Sequence, residues 1–277
     1  MKTLRKDGVK VNNGKEKIID MHAHIFPDKI VEKAVKSIGG YYGVSMARKG
    51  TVDDLIKSGS RINVCKYLVH STATKAEQVH AINDFIAGEV KKNKCLIGFG
   101  TLHKSMENID GEIERMRQMG LKGIKLHPEF QEFNIDDEDM FPIYEAAQGK
   151  LPILMHMGDE NKTSSSPVRL SNIMSMFPKL TVIAAHFGGY RMWDEAMEYL
   201  VGKNVYMDTS SSLFILDKNK ALEIIRRHGV DKIFFGTDYP MWDHVEELER
   251  FNKLELSPNE REMILYGNAA KMLGIEN

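Results

Sequence analysis

The segment Asp20-Met21-His22-Ala23-His24 carries the sharpest chemical signal in the sequence. It begins in a short apolar run that is typical of a β-strand. Because alternate residues of an extended strand point to the same face, this spacing predicts that Asp20, His22 and His24 share one face. Two imidazoles that converge in this way can bind one metal ion.

Three more side chains that can bind metals follow apolar runs of strand length. His156 ends LPILMH, His186 ends TVIAAH, and Asp238 follows KIFFGT. Counting by two along these runs predicts that all three point into one pocket, with Ala184 on the same face as His186. Together with the first histidine pair they give a nitrogen- and oxygen-rich site suited to zinc, or alternatively manganese, with a position open for water.

Seven of the ten histidines lie at or just beyond the end of a predicted strand. This grouping predicts a histidine-lined rim, and histidine is the commonest metal ligand near neutral pH. Three of the seven, His70, His103 and His127, are expected to be polar rim positions rather than ligands. Asp208, in VYMDTSS, is expected either to orient a ligand from behind or to make a structural hydrogen bond.

Short apolar runs alternate with longer amphipathic stretches along almost the whole chain, a rhythm typical of βα units. Strands are predicted at 17–20, 63–69, 95–102, 122–126, 151–155, 180–185, 204–207 and 232–235. Helices are predicted at 76–92, 107–119, 138–148, 167–176, 192–200, 219–228 and 245–253. No linker or change in composition interrupts this pattern. The sequence therefore predicts one α/β domain over 1–277, a single (β/α)8 TIM barrel with a polar N-terminal extension at 1–16.

Three irregular segments, 39–50, 129–137 and 159–166, are expected to leave the carboxyl-terminal side of this barrel. Active sites of such barrels lie at that face, so these loops are expected to contact the substrate.

The composition limits the classes of partner. Lys and Arg number 38 and Asp and Glu 39, for a net charge of -1, so no long-range field attracts a nucleic acid and a small-molecule substrate is expected. The sequence shows no secretory signal and no apolar run long enough for a membrane span, so no membrane partner is expected. Cys65 and Cys95 show no disulfide or zinc spacing, which favours a cytoplasmic protein with reduced thiols. The sequence leaves open whether the protein forms a homo-oligomer.

Taken in chain order, these motifs resemble those of the amidohydrolase superfamily. The HxH after the first strand, the histidines after the fifth and sixth and the aspartate after the eighth follow its pattern. GIKLHP (123–128), AHFGG (185–189) and FGTDYP (235–240) look like its amidohydrolase-2 branch, which contains metal-dependent hydrolases and related decarboxylases of the aminocarboxymuconate semialdehyde decarboxylase type. The resemblance runs from about Ile18 to Leu273 and implies a metal-assisted enzyme on a (β/α)8 barrel.

The resemblance also implies roles for particular residues. It assigns metal ligation to His22, His24, His156 and Asp238, with Asp238 also catalytic, and a catalytic role to His186. Lys125, which faces inward in GIKLH, takes the place where binuclear members of the superfamily carry a carboxylated lysine between two metals. The branch favours one ion, which leaves Lys125 as a substrate contact or a supporting group. A site with two metal ions remains the alternative.

The activity expected first is hydrolysis of a small amide, lactone or ester. A bound ion would lower the pKa of a water molecule toward ~7 and so supply hydroxide. Asp238 would accept and return the proton while His186 stabilises the oxyanion. The alternative is decarboxylation or hydration of a small unsaturated or aromatic acid that chelates the same ion. A barrel that binds a ligand without catalysis is disfavoured, because buried unpaired imidazoles are costly.

The substrate contacts are predicted in the rim loops. Arg191, just after AHFGGY, is expected to clamp a carboxylate near the metal. Phe26, Trp193 and other aromatic loop residues, among them Tyr42, are expected to contact a small planar anion.

Overall fold

In the computed structural model, which describes residues 16–275, eight parallel strands lie side by side in chain order. Each strand overlaps a range predicted from the sequence, and the (β/α)8 TIM barrel is confirmed. The strands are β1 (Ile18–His24), β2 (Val64–His70), β3 (Leu96–Thr101), β4 (Gly123–Leu126), β5 (Ile153–Met155), β6 (Val182–Ala184), β7 (Tyr206–Asp208) and β8 (Ile233–Phe234).

The helices that connect and flank the strands are α1 (Val31–Tyr42), α2 (Val52–Gly59), α3 (Val79–Lys92), α4 (Ile109–Gln118), α5 (Pro128–Gln131), α6 (Phe141–Ala147), α7 (Pro167–Met176), α8 (Trp193–Tyr199), α9 (Lys218–His228), α10 (His244–Phe251), α11 (Pro258–Glu262) and α12 (Asn268–Leu273). Seven of them overlap predicted helices. The helix α1 extends into the segment predicted to be irregular and includes Gly39 and Gly40.

Alternation along the strands separates an inner core from an outer one. In β5, Leu154 belongs to the inner cluster while its neighbours Ile153 and Met155 pack among the helices. The inner cluster fills the middle of the barrel, so the barrel is a packed core and not a pore. Its fully buried strand residues are Ile19, Met21, Leu68, Phe99, Leu154, Ile183 and Phe234.

The barrel closes where β1 meets the end of β8. The N–H of Met21 donates to the carbonyl of Phe235 at 2.9 Å, and the N–H of His24 donates to that of Tyr239 at 2.7 Å. In the opposite direction, the N–H of Asp238 donates to the carbonyl of His22 at 2.9 Å. This seam therefore brings the HxH motif of β1 beside Asp238.

The predicted polar extension at 1–16 lies outside the described residues except for Glu16. Between residues 16 and 275, no helix combines the length and apolar character needed to cross a membrane.

Candidate metal centre and active site

The two histidines of β1 meet Asp238 at the mouth of the barrel. Nε2 of His22 lies 3.5 Å from Oδ1 of Asp238, and Nε2 of His24 lies 3.2 Å from the same oxygen. Two ligands of one ion with bonds of about 2.0–2.2 Å are separated by roughly 3–3.6 Å. Three of the four predicted ligands are therefore brought together, with Asp238 at ligand spacing from both histidines.

Asp20 lies on the opposite face of β1 from His22, so the predicted shared face is wrong for this residue. The register of β1 shifts between Asp20 and Ala23, which lets Met21 and His22 both face the barrel interior. The Asp20 carboxylate instead accepts hydrogen bonds from the N–H of Thr237 at 3.0 Å and from its hydroxyl at 2.6 Å. It ties β1 to the segment after β8.

Asp208, at the end of β7, orients the ring of His22 from behind. Its Oδ2 lies 2.9 Å from Nδ1 of His22, and its Oδ1 accepts hydrogen bonds from the N–H groups of His186 and Ser210. Metal-binding histidines commonly donate their second ring N–H to a carboxylate. With Nδ1 held in this way, Nε2 of His22 is the nitrogen that faces Asp238.

His186 and His156 form the neighbouring part of the rim, with Nε2 of His186 3.0 Å from Nδ1 of His156. Ala184 packs in the outer core, so the predicted common face of Ala184 and His186 is wrong. His186 reaches the site because its backbone and that of Phe187 adopt left-handed conformations, with φ of 61° and 51°. Nε2 of His156 lies 3.0 Å from the carbonyl of Gly158, so both of its ring nitrogens have partners in the protein.

Burial sets the protonation of these groups. It lowers the pKa of His24 to about 3 and that of His186 to about 4, so both rings are neutral at pH 7. Burial disfavours the charged form of Asp238, but His22 and the hydrogen bond with His24 outweigh it and hold the pKa of that carboxyl well below its usual range. Neutral imidazoles around a carboxylate are the forms in which these side chains bind metal ions.

His70, which the sequence suggested as a rim position, lies in the same cluster. It is fully buried, and neither ring nitrogen has a hydrogen-bond partner within residues 16–275. Its ring centroid lies 4.3 Å from that of His24 and 4.9 Å from that of His22. An unsatisfied buried nitrogen beside two imidazoles and a carboxylate fits a divalent cation, because ligation would satisfy it.

A second polar group lies on the other side of His156. The hydroxyl of Tyr42 is 3.1 Å from Nε2 of His127 and 3.4 Å from Nε2 of His156. Oε2 of Glu129 lies 3.5 Å from Nδ1 of His127, and Oε1 accepts a hydrogen bond from Ser165. Glu129 had no predicted role, because it falls in a segment predicted to be a loop, and a loop prediction does not indicate where a side chain points.

A cavity of about 760 Å³ opens beside the cluster, a size that suits a small organic ligand. Its polar end is formed by His24, His127, His156 and Asp238. Its walls are largely apolar and include Phe26, Ile38, Tyr42, Met46, Phe85, Phe130 and Met241.

The predicted substrate contacts lie in different surroundings. Phe26 lines the cavity. Nε of Arg191 pairs with Glu160 at 2.6 Å, and the indole N–H of Trp193 donates to the backbone carbonyl of His186 at 3.0 Å. Neither of these two residues is among those that line the cavity.

Lys125 is buried in the barrel interior, where Nζ lies 3.3 Å from Nε2 of His22. Burial lowers the pKa of its ammonium group to about 8. Its inward direction agrees with the strand alternation predicted for GIKLH.

A (β/α)8 barrel with a buried histidine and aspartate cluster at the carboxyl ends of its strands defines the class of metal-dependent barrel enzymes. The chain belongs to the amidohydrolase family, whose model matches residues 19–275. The resemblance seen in the motifs is confirmed.

Two curated relatives carry the same name, 2-amino-3-carboxymuconate-6-semialdehyde decarboxylase. The protein from Dictyostelium discoideum is 24% identical over 249 residues, which cover 70% of this chain and 66% of that protein. The protein from Caenorhabditis elegans is 26% identical over 235 residues, which cover 60% of this chain and 58% of that protein. The matched segments thus span less than two thirds of these relatives.

Among solved structures, the chain is similar to 5-carboxyvanillate decarboxylase from Novosphingobium aromaticivorans, complexed with manganese and 4-hydroxy-3-methoxy-5-nitrobenzoic acid. The TM-score is 0.76 at 16% identity, with 95% of this chain and 97% of that chain covered.

These relatives correct the activity expected first from the sequence. Hydrolysis of an amide, lactone or ester was expected, whereas the curated relatives and this structural neighbour are decarboxylases. The hydrolase prediction is therefore wrong, and the findings favour its lyase alternative.

Proposed function

We propose that this protein is a metal-dependent decarboxylase of a small unsaturated or aromatic carboxylic acid. The observation that carries the proposal is the cavity, whose apolar walls lead to a polar end formed by His24, His156 and Asp238. A flat, largely apolar acid fits such a space with its carboxylate at the polar end. The decarboxylase names of the curated relatives support the same reaction.

The proposed cofactor is one divalent ion held by His22, His24 and Asp238, with His156 as the fourth predicted ligand. When bound, the ion supplies positive charge that attracts the substrate carboxylate and a neighbouring oxygen. Manganese in the structural neighbour supports manganese here, whereas zinc rests on the donor set alone. A single ion leaves Lys125 as an uncarboxylated side chain against His22.

The reaction replaces CO2 by a proton at the substrate carbon, so the site must deliver that proton. Asp238 lines the cavity, and its Oδ2 lies 2.5 Å from the hydroxyl of Ser211. Ionised at neutral pH, this carboxylate can accept a proton that enters through the cavity and pass it to the substrate carbon, while the Ser211 hydroxyl holds Oδ2 in place. We assign proton delivery to Asp238.

The other residues hold the substrate and keep water out. Phe26, Tyr42 and Phe130 pack beside the polar end, where they would flank a planar ring. His186, neutral at pH 7, would stabilise negative charge that develops on the substrate as the C–C bond breaks. An apolar wall also favours loss of the carboxylate charge as neutral CO2 leaves.

The test is a panel of hydroxylated benzoic acids and conjugated dienoic acids, incubated with the protein loaded with manganese or with zinc. We expect CO2 release in step with loss of the acid. Asp238→Asn should lower the rate by at least about 100-fold. Asp217→Asn is the matched control, because Asp217 caps α9 far from the cavity chemistry and asparagine caps equally well.

Formation of hydrated products without CO2 would contradict the proposal. So would the absence of turnover across the panel in protein with a full complement of metal.

A further inference from the structure

His70 differs from the other site histidines in its surroundings. His22, His156 and His186 each have at least one ring nitrogen within hydrogen-bond distance of a protein group. Both ring nitrogens of His70 are shielded from solvent and have no partner within residues 16–275. The residue pairs with His24 in the β1–β2 ladder, so its position at the cluster is fixed by the sheet.

A purely structural role does not account for this side chain. A buried polar group that lacks a hydrogen bond costs roughly 1–3 kcal/mol. A leucine or phenylalanine would fill the same volume without this cost. The retained imidazole therefore points to a ligand that the two nitrogens do not find in the protein itself.

The neighbours of His70 identify the class of ligand. The ligand nitrogens of His22, His24 and His70 lie within 4.8 Å of one another. Nδ1 of His22 is held by Asp208, which leaves Nε2 for the shared centre. Three imidazoles in this arrangement suit a divalent ion with bonds of about 2.0–2.2 Å after small side-chain rotations.

We propose that His70 is a ligand of the divalent ion, which it binds together with His22, His24 and Asp238. The inference rests on the metal site of the proposed function and adds a ligand to it. Four of the ligands, His70 among them, then come from β2, β1 and the segment after β8, which are neighbours around the barrel, while His156 follows β5. The opposite side of the mouth, with Tyr42 and the second polar group, is left for the substrate.

The test measures metal binding rather than turnover, so that it can fail independently of the proposed reaction. His70→Asn and His70→Gln are compared with the wild type and with His103→Asn. His103 is the matched control, because it follows β3 on the same rim and its Nδ1 already accepts a hydrogen bond from the N–H of Ser105. Dissociation constants for zinc and manganese come from competition with a chromophoric chelator, and the visible spectrum of cobalt-loaded protein reports the ligand field.

We expect both His70 variants to raise the dissociation constants by at least about 10-fold and to change the cobalt spectrum. The control should match the wild type in both measurements. Circular dichroism checks the fold, and the glutamine variant serves if the asparagine variant does not fold. Wild-type affinity and an unchanged spectrum in a folded His70 variant would overturn the proposal, even if its turnover fell.

Discussion

At the scale of single residues, side chains of the site use one polar atom for a contact with a supporting protein group and direct another polar atom toward the proposed metal position. Asp208 holds Nδ1 of His22, and Nε2 then faces Asp238. Asp238 is held in the same way, since Ser211 donates to Oδ2 while Oδ1 faces the histidines. Such supporting contacts fix the tautomer and the direction of each ligand before an ion binds.

The proposed function gives His186 a role in catalysis and none in holding the metal. Nδ1 lies 2.9 Å from the hydroxyl of Ser210, and the backbone N–H is anchored on Asp208. We therefore predict that His186→Asn keeps its metal content and loses about two to four orders of magnitude in turnover. Elemental analysis and steady-state kinetics measure the two quantities.

His80→Asn is the control for this substitution, because His80 is exposed on α3 and its loss should leave turnover unchanged. A His186 variant that loses its metal would reassign the residue as a ligand.

At the scale of elements, the regular pattern was predictable and its interruptions were not. A period of two residues marks a strand and a period of three to four marks a helix, because burial leaves a repeating apolar signal in each. These patterns located all eight strands. The register shift in β1 and the left-handed backbone at His186 and Asp238 leave no such signal. They depend on hydrogen bonds with partners far away in the chain, such as Asp208.

Helix α1 is a second feature that the sequence pattern did not predict. Gly39 and Gly40 favour a loop by propensity, and the segment was predicted to be irregular. In the fold the helix continues to Tyr42 and ends at Gly43, whose φ of 64° suits glycine. Packing over the cavity overrides the local preference, and this places the Tyr42 hydroxyl against His127.

Helix α10 contains a buried acid whose titration should be visible in the stability of the protein. Glu247 is 1% exposed, and burial raises its pKa from 4.5 to about 8 despite the ion pair with Arg250. The folded state therefore holds a proton that the unfolded state releases above about pH 4.5. Stability should fall as pH rises from about 4.5 to 8, by up to about 1.4 kcal/mol per pH unit for this one proton.

We predict that Glu247→Gln removes this fall, because glutamine stays neutral in both states. Urea unfolding of the variant and the wild type between pH 5 and 8.5 tests it, and the stability of the variant relative to the wild type should rise with pH. Glu246→Gln is the matched control on the same helix, because its side chain is 55% exposed. If the unfolding free energies of Glu247→Gln and the wild type changed with pH in parallel, the acid would be ionised in the folded protein.

At the scale of the whole molecule, the metal centre coincides with the place where the barrel closes. β8 has two residues, and the segment that follows it meets β1 through an isolated bridge between Ala23 and Tyr239 and through backbone hydrogen bonds. The candidate ligands His22 and His24 belong to β1, and Asp238 follows β8. An ion held by all three would link the two sides of this seam.

Metal loading should therefore stabilise the fold, and most of all at the seam. Binding to the folded state alone, at a free metal concentration of 100 times Kd, adds about 2.7 kcal/mol. For a chain of this size we predict a rise in Tm of roughly 5 °C, reversed by a chelator. Hydrogen exchange should slow at the seam amides of Met21, His24 and Asp238, with little change in α9. His22→Ala is the comparison, since it should lose both effects, and a full Tm shift in that variant would move the metal site away from the seam.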